Sequence, residues 1–316
     1  MKKLLITGYS GFVGACLCNT LKGLYNLNLL GRKKSDQGIL FKSTIGKDSE
    51  YAEALQGVDV VVHCAARVHV MNDSVPSSID EYRTVNTHGT ENLARQAAAA
   101  GVKRFIFVSS IKVNGECTPL DKPYTSADPH APEDGYGLSK SEAEQQLFDI
   151  GKETGMEIVV IRPTLVYGPG VKANFASLMS LVGMGIPLPF SCINNNKRSL
   201  VSVTNLVDLI VTCIDHPKAA NEVFLVSDDQ DVSTSEMVKY MAKALGKPTW
   251  QIPVPFWCYN LVGKILGKKD VVDRLTGSLQ VDISHTKDTL GWAPPQSLED
   301  GFRETAQAFL HSKHKQ

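Results

Sequence analysis

The fold is decided by a short stretch near the amino terminus, TGYSGFVG at Thr7–Gly14. It follows directly on an apolar run, Lys3–Ile6, which predicts a first β-strand, and it opens a segment that predicts a helix. At such a junction Gly8 permits a tight turn, Gly11 lets a pyrophosphate approach the backbone, and Gly14 lets the helix pack on the sheet. The helix start adds free amides and the positive end of its dipole. The stretch therefore predicts the phosphate-binding turn of a dinucleotide-binding fold.

Beyond this turn, roughly the first two hundred residues alternate short apolar runs with longer amphipathic segments. The predicted strands are Lys3–Ile6, Leu27–Leu30, Asp59–His63, Arg104–Ser109 and Glu157–Arg162. The clearest helix runs from Asn86 to Ala100, because it is rich in strong helix formers and Gly101 follows as a stop. Alternation of this kind is typical of βαβ units. We predict an α/β fold, a Rossmann-type doubly wound parallel sheet.

The composition of the chain changes after Arg162-Pro163, where glycine, proline and polar residues become frequent. Here we expect a smaller, loop-rich α/β substrate lobe, in which the capping-box spacing of Ser233–Glu236 starts a helix. The apolar, aromatic segment Pro253–Leu266 predicts a core helix, since a lysine, a glycine and prolines interrupt it too often for a membrane anchor. The expected boundaries are residues 1–165 plus about 199–228 for the dinucleotide-binding domain, and about 166–198 plus 229–316 for the substrate lobe.

Composition argues against several classes of function. Lys plus Arg and Asp plus Glu both number 33, so the formal net charge is zero, and we expect no nucleic-acid partner and no membrane partner. No apolar stretch approaches the ~18 residues of a membrane span, and glycines interrupt the apolar start where a signal peptide would continue. Seven cysteines without paired CxxC spacing predict reduced thiols in a cytoplasmic protein and no metal site.

The choice of cofactor depends on the end of the second predicted strand. A carboxylate at this place hydrogen-bonds the ribose 2′-hydroxyl and favours NAD. No acid stands there; Gly31 is followed by Arg32 and two lysines, whose charges suit a 2′-phosphate. The cofactor is therefore NAD or NADP, and Arg32 favours NADP unless this basic stretch is only a solvated loop. Asp48 is a further candidate, for contact with the adenine.

Tyr136 and Lys140 form the candidate catalytic pair. They lie four residues apart, so on a helix they share one face. A phenol has a pKa near about 10, and a nearby positive charge favours its phenolate form. Tyr136 would therefore exchange a proton with a substrate hydroxyl, while Lys140 lowers the tyrosine pKa and donates hydrogen bonds to the nicotinamide ribose. Both follow the predicted strand that ends at Ser109, where they can meet the nicotinamide end of a bound dinucleotide.

Six motifs occur in the order and spacing of a known family. They are TGYSGFVG at Thr7–Gly14, DVVVHCAA at Asp59–Ala66, VNTHGTENL at Val85–Leu93, FVSS at Phe107–Ser110, YGLSK at Tyr136–Lys140 and Arg162-Pro163. Over essentially its whole length the chain resembles the extended short-chain dehydrogenases/reductases, and within them the NAD-dependent epimerase/dehydratase group. An ordered set of motifs is far more specific than any one of them.

The resemblance assigns roles to single residues. It implies that Ser110 hydrogen-bonds the reacting oxygen, that Tyr136 is the acid/base and that Lys140 is its electrostatic partner. Cofactor contacts are implied for Gly8, Gly11, Phe12, Val13, Gly14, Ala65, Ala66, Asn86, Ser109, Tyr136, Lys140 and Pro163. Asn86 is equally well explained as the N-cap of its predicted helix, and the two roles are compatible.

The same resemblance suggests where a nucleotide-sugar binds. It puts Asn174 where such enzymes hold the nucleotide-sugar, and Arg198 in a segment whose arginine reaches the diphosphate. Arg274 is a second candidate for the diphosphate, since guanidinium groups bind phosphate oxygens in a bidentate manner. For either arginine the alternative is a solvated surface position.

The segment after Ser110 departs from the family pattern. Many sugar epimerases carry a tyrosine and small residues here, whereas this chain has Lys112 and Asn114, which either shape the sugar pocket or, in the case of Lys112, face solvent. Arg67 and His69 are further candidates to flank the sugar. No acid pair stands beside the serine, which argues against a dehydratase.

Two reactions fit this set of residues. The first is 4-epimerisation of a UDP-sugar, in which C4 is transiently oxidised with Tyr136 as acid/base. The second is reduction of a UDP-4-keto-sugar by NADPH, which Arg32 favours. A third possibility, a non-catalytic cofactor sensor, would be marked by a broken catalytic set, and here the set is intact. The resemblance also allows a homodimer.

Overall fold

Among the described residues, 1–68, 79–265, 267 and 269–313, seven parallel strands form the main sheet of the computed structural model. The side chains of residues 173, 174, 262, 270 and 313 are likewise not described. In sheet order the strands are β3 (Ile39–Lys42), β2 (Asn26–Gly31), β1 (Lys3–Thr7), β4 (Val60–His63), β5 (Arg104–Val108), β6 (Glu157–Pro163) and β9 (Glu222–Val226). The chain order reverses between β1 and β4, and doubly wound sheets bind their ligands at such a switch point. The predicted Rossmann-type doubly wound sheet is confirmed.

Helices cover both faces of this sheet. One face carries α1 (Phe12–Leu21), α7 (Val203–Asp215) and α11 (Ser284–Leu290), and the other carries α2 (Ala52–Leu55), α4 (Gly89–Ala99) and α5 (Gly135–Thr154). Successive strand residues alternate between the two cores: Leu4 and Ile6 join the first, Leu5 joins the second, and all three are fully buried. Burial on both faces explains why the strands occur in the sequence as continuous apolar runs.

All five predicted strands are present, and each end agrees with the prediction to within one residue. The prediction misses β3 and β9, which are the two edges of the sheet. β3 has four residues and is partly exposed, so its short sequence lacks the buried apolar run of a central strand. An edge strand is defined largely by the neighbour with which it pairs, and a local pattern does not record that pairing.

The carboxy-terminal part forms a smaller α/β lobe with a core of its own. Its sheet consists of β7 (Leu165–Tyr167), β8 (Arg198–Ser202) and β10 (Asp231–Val232). Its helices are α6 (Ala173–Gly183), α8 (Thr234–Ala244), α9 (Phe256–Ile265), α10 (Lys269–Thr276) and α12 (Leu298–Lys313). The predicted capping box is confirmed, because Ser233 Oγ accepts from Glu236 N and the Glu236 carboxylate accepts from Ser233 N.

Helix α9 corrects one expectation, since it is not a core helix. The segment is helical, but Trp257 is 65% exposed and Ile265 is 72% exposed. Tyr259, on the other side of the helix, packs against the core of the second lobe. Apolar composition alone does not show how many faces of a helix find a partner, and here the lobe covers only one. Within the part of the chain that the structure describes, no helix is both long and apolar enough to cross a membrane.

A buried ion pair joins α5 to β6 beneath the strand ends. The side chains of Arg162 and Glu144 are 2% and 1% exposed, and Arg162 Nε lies 3.1 Å from Glu144 Oε1. Other nitrogens of the guanidinium reach Asn114 Oδ1 at 3.0 Å and His130 Nε2 at 2.6 Å. The hydroxyl of Ser109 donates to the same Glu144 carboxylate. This extensive pairing is what allows two charges to remain buried.

Replacing Arg162 with Met is expected to lower the free energy of unfolding by about 3–5 kcal/mol, because the Glu144 carboxylate then stays buried without its cation. Urea unfolding followed by circular dichroism measures the loss. Arg83→Met is the matched control: Arg83 pairs with Glu142 on the same helix, but these side chains are 36% and 25% exposed. For the control we expect a much smaller loss, because exposed ion pairs contribute little to stability. Equal losses in the two variants would contradict the stabilising role of the buried pair.

Candidate active site

The glycine-rich turn forms a backbone cradle at the switch point. Gly8 has a φ of +68°, and a Cβ there would lie 2.6 Å from Ala65 N. A Cβ on Gly14 would lie 2.2 Å from the carbonyl oxygen of Gly8. α1 then starts after Gly11 with no side-chain cap and no acid in its first turn, so its amides stay available to an anion. Gly8 and Gly14 therefore let the turn pack closely on the loop after β4 and on α1, and the free amides at the start of α1 fit the pyrophosphate of a dinucleotide.

The residues predicted to select the cofactor lie at the surface. Arg32 follows the end of β2 and is exposed, and among the described side chains no carboxylate forms an ion pair with it. Asp48 is also exposed, with one carboxylate oxygen 4.0 Å from Lys47 Nζ. Phe12 and Val13, at the start of α1, pack partly against the first core of the sheet. The Arg32 guanidinium is therefore available to an anionic group.

Asn86 is not the helix N-cap that its residue type suggests. The helix begins as α3 (Ile79–Tyr82) and continues through a π-helical turn, Arg83–His88, into α4, so Asn86 lies inside it. Its buried amide accepts from Arg67 N at 2.7 Å and donates to Ser139 Oγ at 3.0 Å. It thereby ties the loop after β4 to α5. π-helical turns are frequent at functional sites, which agrees with this position.

Ser110 lies two residues beyond the end of β5 and is partly exposed. Its Oγ accepts a hydrogen bond from Lys112 N at 3.2 Å. The Lys112 ammonium is held by the carboxylates of Glu116 and Asp134, so it neither faces solvent freely nor stands open in a pocket. Asn114 is engaged by the buried ion pair described above. These contacts anchor the segment after Ser110 to the start of α5; a contact between Lys112 and the substrate stays a prediction.

Tyr136 lies in the first turn of α5, on the helix that also carries Lys140. Burial raises the pKa of Tyr136, and the nearby Asp134 and Tyr82 act in the same direction. The lowering of this pKa expected from Lys140 is not found. The Lys140 ammonium donates to the carbonyl of Val108 at 2.9 Å. The phenol is therefore protonated at neutral pH in this structure and is a proton donor as it stands.

Lys140 is a buried ammonium at the end of the central strands. It is 1% exposed, and its Nζ lies 4.2 Å from the ring centre of Phe107. Burial lowers the pKa of Lys140 from its usual 10.5 to about 8, while Cys64 and Glu144 act in the opposite direction. Since Val108 ends β5 and Cys64 follows β4, the charge sits between the carboxyl ends of these two strands.

His63 is a site residue that sequence reasoning missed. Its Nδ1 lies 2.6 Å from Thr7 Oγ1 and its Nε2 lies 3.0 Å from Thr90 Oγ1, and its ring stacks on Phe107. Burial, followed by the charge of Lys140, lowers the pKa of His63 to about 3, so the ring is neutral. It links the glycine-rich turn to the aromatic ring beneath Lys140. The sequence VVVH could have indicated this residue, because a polar side chain ends an otherwise apolar, buried strand.

Glu144 was also missed, although its signal was present. It lies four residues beyond Lys140, so it continues the face of α5 on which Tyr136 and Lys140 were placed. The remaining predicted cofactor residues end or directly follow the central strands; they are Ala65, Ala66, Ser109 and Pro163. Of these, Ser109 uses its hydroxyl to bind Glu144. The predicted catalytic and cofactor residues, apart from Arg32 and Asp48, thus lie near the carboxyl ends of the central strands.

The structure brings the two predicted diphosphate arginines together. Arg198 Nη1 donates to the carbonyls of Arg274 and Gly277 at 2.8 and 3.1 Å. Burial, followed by the positive charge of Arg274, lowers the pKa of Arg198. The Asn174 side chain and the whole of His69 lie outside the described residues. The two guanidinium groups therefore make this part of the second lobe a concentrated positive site.

The arrangement suits proton and hydride exchange at a hydroxyl-bearing carbon. A hydroxyl oxygen close to Ser110 would meet one hydrogen-bonding hydroxyl and the phenol of Tyr136, the two groups that a developing alkoxide or carbonyl requires. The cradle supplies backbone amides for a dinucleotide, and Lys140 supplies a fixed positive charge. This is the chemistry of a short-chain dehydrogenase/reductase site.

Comparison with known proteins agrees with this geometry. A family model described as the NAD dependent epimerase/dehydratase family matches residues 4–227. A UDP-glucose 4-epimerase of Vibrio cholerae is 62% identical, over 99% of this chain and 97% of that protein. An N-acetyl-alpha-D-glucosaminyl-diphospho-ditrans,octacis-undecaprenol 4-epimerase of Escherichia coli O157:H7 is 29% identical, over 98% and 96%.

The fold is shared with solved structures as well. The UDP-glucuronic acid 4-epimerase from Bacillus cereus, in complex with NAD, superposes with a TM-score of 0.78 over 98% of this chain and 99% of that one, at 20% identity. The family model covers more than half of this chain, and the Vibrio protein aligns with nearly all of it. The chain belongs to the NAD dependent epimerase/dehydratase family.

Proposed function

We propose that the protein is a cytoplasmic, nicotinamide-dependent 4-epimerase of UDP-sugars, of the UDP-glucose or UDP-N-acetylglucosamine type. The observation that carries the proposal is the grouping of Ser110, Tyr136 and Lys140 beside the glycine-rich turn, in a chain 62% identical to a UDP-glucose 4-epimerase. The relatives described above all bear 4-epimerase names, which favours this reaction over ketosugar reduction. The intact catalytic set argues against a non-catalytic cofactor sensor.

In this proposal Tyr136 exchanges the proton of the C4 hydroxyl while Ser110 hydrogen-bonds the same oxygen. A bound nicotinamide would supply reversible hydride transfer at C4, first from one face of the sugar and then to the other, so that the cofactor would end unchanged. Accepting the proton requires the phenolate, which burial opposes. Lys140 is the cation on the same helix face. Among the described residues its ammonium hydrogen-bonds only Val108, which leaves two N–H donors for a ribose hydroxyl.

We further propose that Arg198 and Arg274 hold the diphosphate, in a substrate lobe of about residues 166–198 and 229–316 that also includes Asn174. The two guanidinium groups raise each other's electrostatic energy, and among the described side chains no carboxylate pairs with either. A diphosphate would relieve that repulsion through charge-assisted hydrogen bonds. A 4-epimerase must turn the sugar over while it keeps hold of the nucleotide, and a diphosphate anchor away from the sugar meets that need.

The proposed cofactor is NAD or NADP, with Arg32 favouring NADP. Arg32 and the two lysines after it are exposed, and no acid stands at the end of β2 to accept from a ribose hydroxyl. Because an epimerase returns its cofactor unchanged, the reaction itself sets no preference between the two dinucleotides. The preference depends on the contact that Arg32 makes with the adenosine half.

A second candidate substrate is a sugar joined through diphosphate to a lipid, as in the name of the relative from Escherichia coli. The reaction at C4 and the diphosphate contacts would be the same. The observation that favours it is the exposed apolar side of α9, since α10, which packs on α9, carries Arg274. Parallel assays with a UDP-hexose and with a lipid-linked hexose of the same sugar distinguish the two candidates.

The proposed reaction is tested by sugar analysis after incubation with UDP-glucose or UDP-N-acetylglucosamine. We expect conversion to the galacto sugar with no net change in nicotinamide absorbance. Tyr136→Phe is expected to lower turnover at least ~100-fold while dinucleotide binding persists. Full activity of this variant would contradict the proposed role of Tyr136 as the acid/base. Consumption of NADPH by a UDP-4-keto-sugar, with both hexoses unchanged, would establish a reductase instead.

Lys140→Met is expected to abolish turnover and yet to stabilise the folded protein. The lowered pKa of Lys140 means that holding its ammonium costs about 3 kcal/mol at neutral pH. This cost is present below pH 8, where the buried amine is charged, and disappears as the pH rises to 10.5. The gain in Tm over the wild type should therefore shrink from pH 7 to pH 10. A Tm below that of the wild type at pH 7 would contradict the prediction.

Arg32→Ala is expected to weaken NADPH binding about tenfold or more and to leave NADH binding nearly unchanged, because a charged hydrogen bond to the 2′-phosphate is lost. Fluorescence titration of the reduced cofactors measures both constants. Arg303→Ala, an exposed arginine on α12, serves as the control. Equal losses for the two cofactors would remove the reason to favour NADP.

A further inference from the structure

Helix α9 carries an apolar stripe on its outer side. Trp257, Leu261 and Ile265 are spaced four residues apart, so they share one face of the helix. They are 65%, 50% and 72% exposed. On the opposite side, Tyr259 packs against the core of the second lobe and Gly263 is buried. The stripe is therefore additional to the side of the helix that holds it in the lobe.

Two neighbouring segments extend this stripe into a larger surface. Leu188 N donates to the carbonyl of Trp250 at 3.4 Å, Ile252 N donates to the carbonyl of Leu188 at 2.8 Å, and the Tyr259 hydroxyl donates to the carbonyl of Pro189. These bonds hold residues 184–190 and 250–252 beside α9. The exposed large apolar side chains of the three segments, which we name the α9 face, are Met184, Ile186, Trp250, Ile252, Phe256, Trp257, Leu261 and Ile265. An exposed apolar surface of this kind marks an interaction site.

Lysines predominate around the α9 face, although α10, which packs on α9, also carries the exposed Asp273. Between Glu236 and Asp270 the sequence has six lysines and no acidic residue, and from residue 158 to residue 207 it also has none. Lys247, Lys264 and Lys269 are exposed, and no ion pair with any of them occurs among the described side chains. The zero net charge of the chain is therefore an average, and this side of the second lobe is basic.

We propose that the α9 face docks the protein peripherally on a lipid bilayer that contains anionic phospholipids. Exposed tryptophans suit the boundary between lipid and water, because the ring is apolar and its N–H is polar. Lysine stems lie along apolar surface while their ammonium groups reach phosphates. An amphipathic helix with aromatic residues on one side and lysines at its rim lies in the plane of such an interface.

Docking would also orient the second lobe. α10 packs directly on α9 and carries Arg274, so the diphosphate arginines would be held near the bilayer surface. The proposal departs from the expectation of no membrane partner, which rests on the zero net charge and on the lack of a long charged run and of a membrane-spanning stretch. It does not depend on the proposed reaction, since none of its residues belongs to the catalytic set.

Co-sedimentation of the full-length protein with phosphatidylcholine vesicles, with and without phosphatidylglycerol, tests the proposal. We expect binding to the vesicles with phosphatidylglycerol, at least tenfold weaker binding to phosphatidylcholine alone, and loss of binding at high salt. No binding to either vesicle, or equal binding to both, would overturn it.

Two sets of substitutions probe the two parts of the surface. The triple variant Trp257→Gln, Leu261→Gln, Ile265→Gln keeps good helix formers and is expected to bind the anionic vesicles at least ~10-fold less. The double variant Lys264→Gln, Lys269→Gln is expected to bind about 25-fold less, at roughly fivefold for each lysine. Circular dichroism and thermal unfolding verify that both variants are folded.

Matched controls carry the same substitutions elsewhere on the surface. Leu24→Gln, Ile39→Gln, Leu120→Gln replaces side chains that are 60%, 64% and 51% exposed, and Lys152→Gln, Lys218→Gln removes two exposed lysines. Both controls should bind like the wild type. Equal losses in the controls and in the α9 variants would overturn the assignment to the α9 face.

Tryptophan fluorescence gives a second readout. Trp250 is 73% exposed and lies with Trp257 on the α9 face, whereas the third tryptophan, Trp292, is 6% exposed in the sheet core. We expect a blue shift of the emission on addition of anionic vesicles, since two of the three rings leave water. Light scattering tests the rival occupant: a dimer that the triple variant dissociates, without any vesicle binding by the wild type, would assign the α9 face to a second copy of the chain.

Discussion

The buried ion pair between Arg162 and Glu144 fixes how α5 docks on the sheet, and the candidate active site depends on that docking. Tyr136 and Lys140 stand on α5, whereas Ser110 follows β5, so the distance between them is set by the contact of these two elements. The pair is bound in turn by Ser109 and Asn114 on the β5 side. A shift of the helix would leave a charge unpaired in the interior, where it costs several kcal/mol. The ion pair therefore favours one position of α5 on the sheet.

The candidate active site contains a buried charge, Lys140, that lowers the stability of the folded protein. The ammonium of Lys140 is buried at the carboxyl ends of the central strands, and its lowered pKa shows that the interior resists the charge. Beneath it, Phe107 offers a ring face and His63 stays neutral, held between two threonines. These neighbours accommodate a cation without neutralising it. A carboxylate partner in direct contact would stabilise the fold but would neutralise the charge that the proposed phenolate of Tyr136 would need nearby.

Net charge and apolar content describe a chain only on average. This chain is neutral overall, yet the second lobe gathers lysines where long stretches lack acids. Its apolar residues are equally uneven: the main sheet buries its strand residues on both faces, while α9 leaves Trp257 and Ile265 outside. Interaction surfaces form where the charge or the exposed apolar content differs locally from the average of the chain, because a partner contacts only one side of the molecule.

The sequence by itself determined the five central strands and the glycine-rich turn and indicated the candidate catalytic trio, because each is recorded within a few residues. Apolar runs mark the strands, the spacing of Gly8 and Gly14 marks the turn, and a four-residue interval pairs Tyr136 with Lys140. Only the tertiary structure decided which polar side chains meet, that Asn86 lies inside a helix, and that α9 keeps an apolar face outside. The physical reason is that burial and pairing depend on neighbours from distant segments. Glu144 and Arg162 share no local pattern, and they become partners only when α5 and β6 pack together.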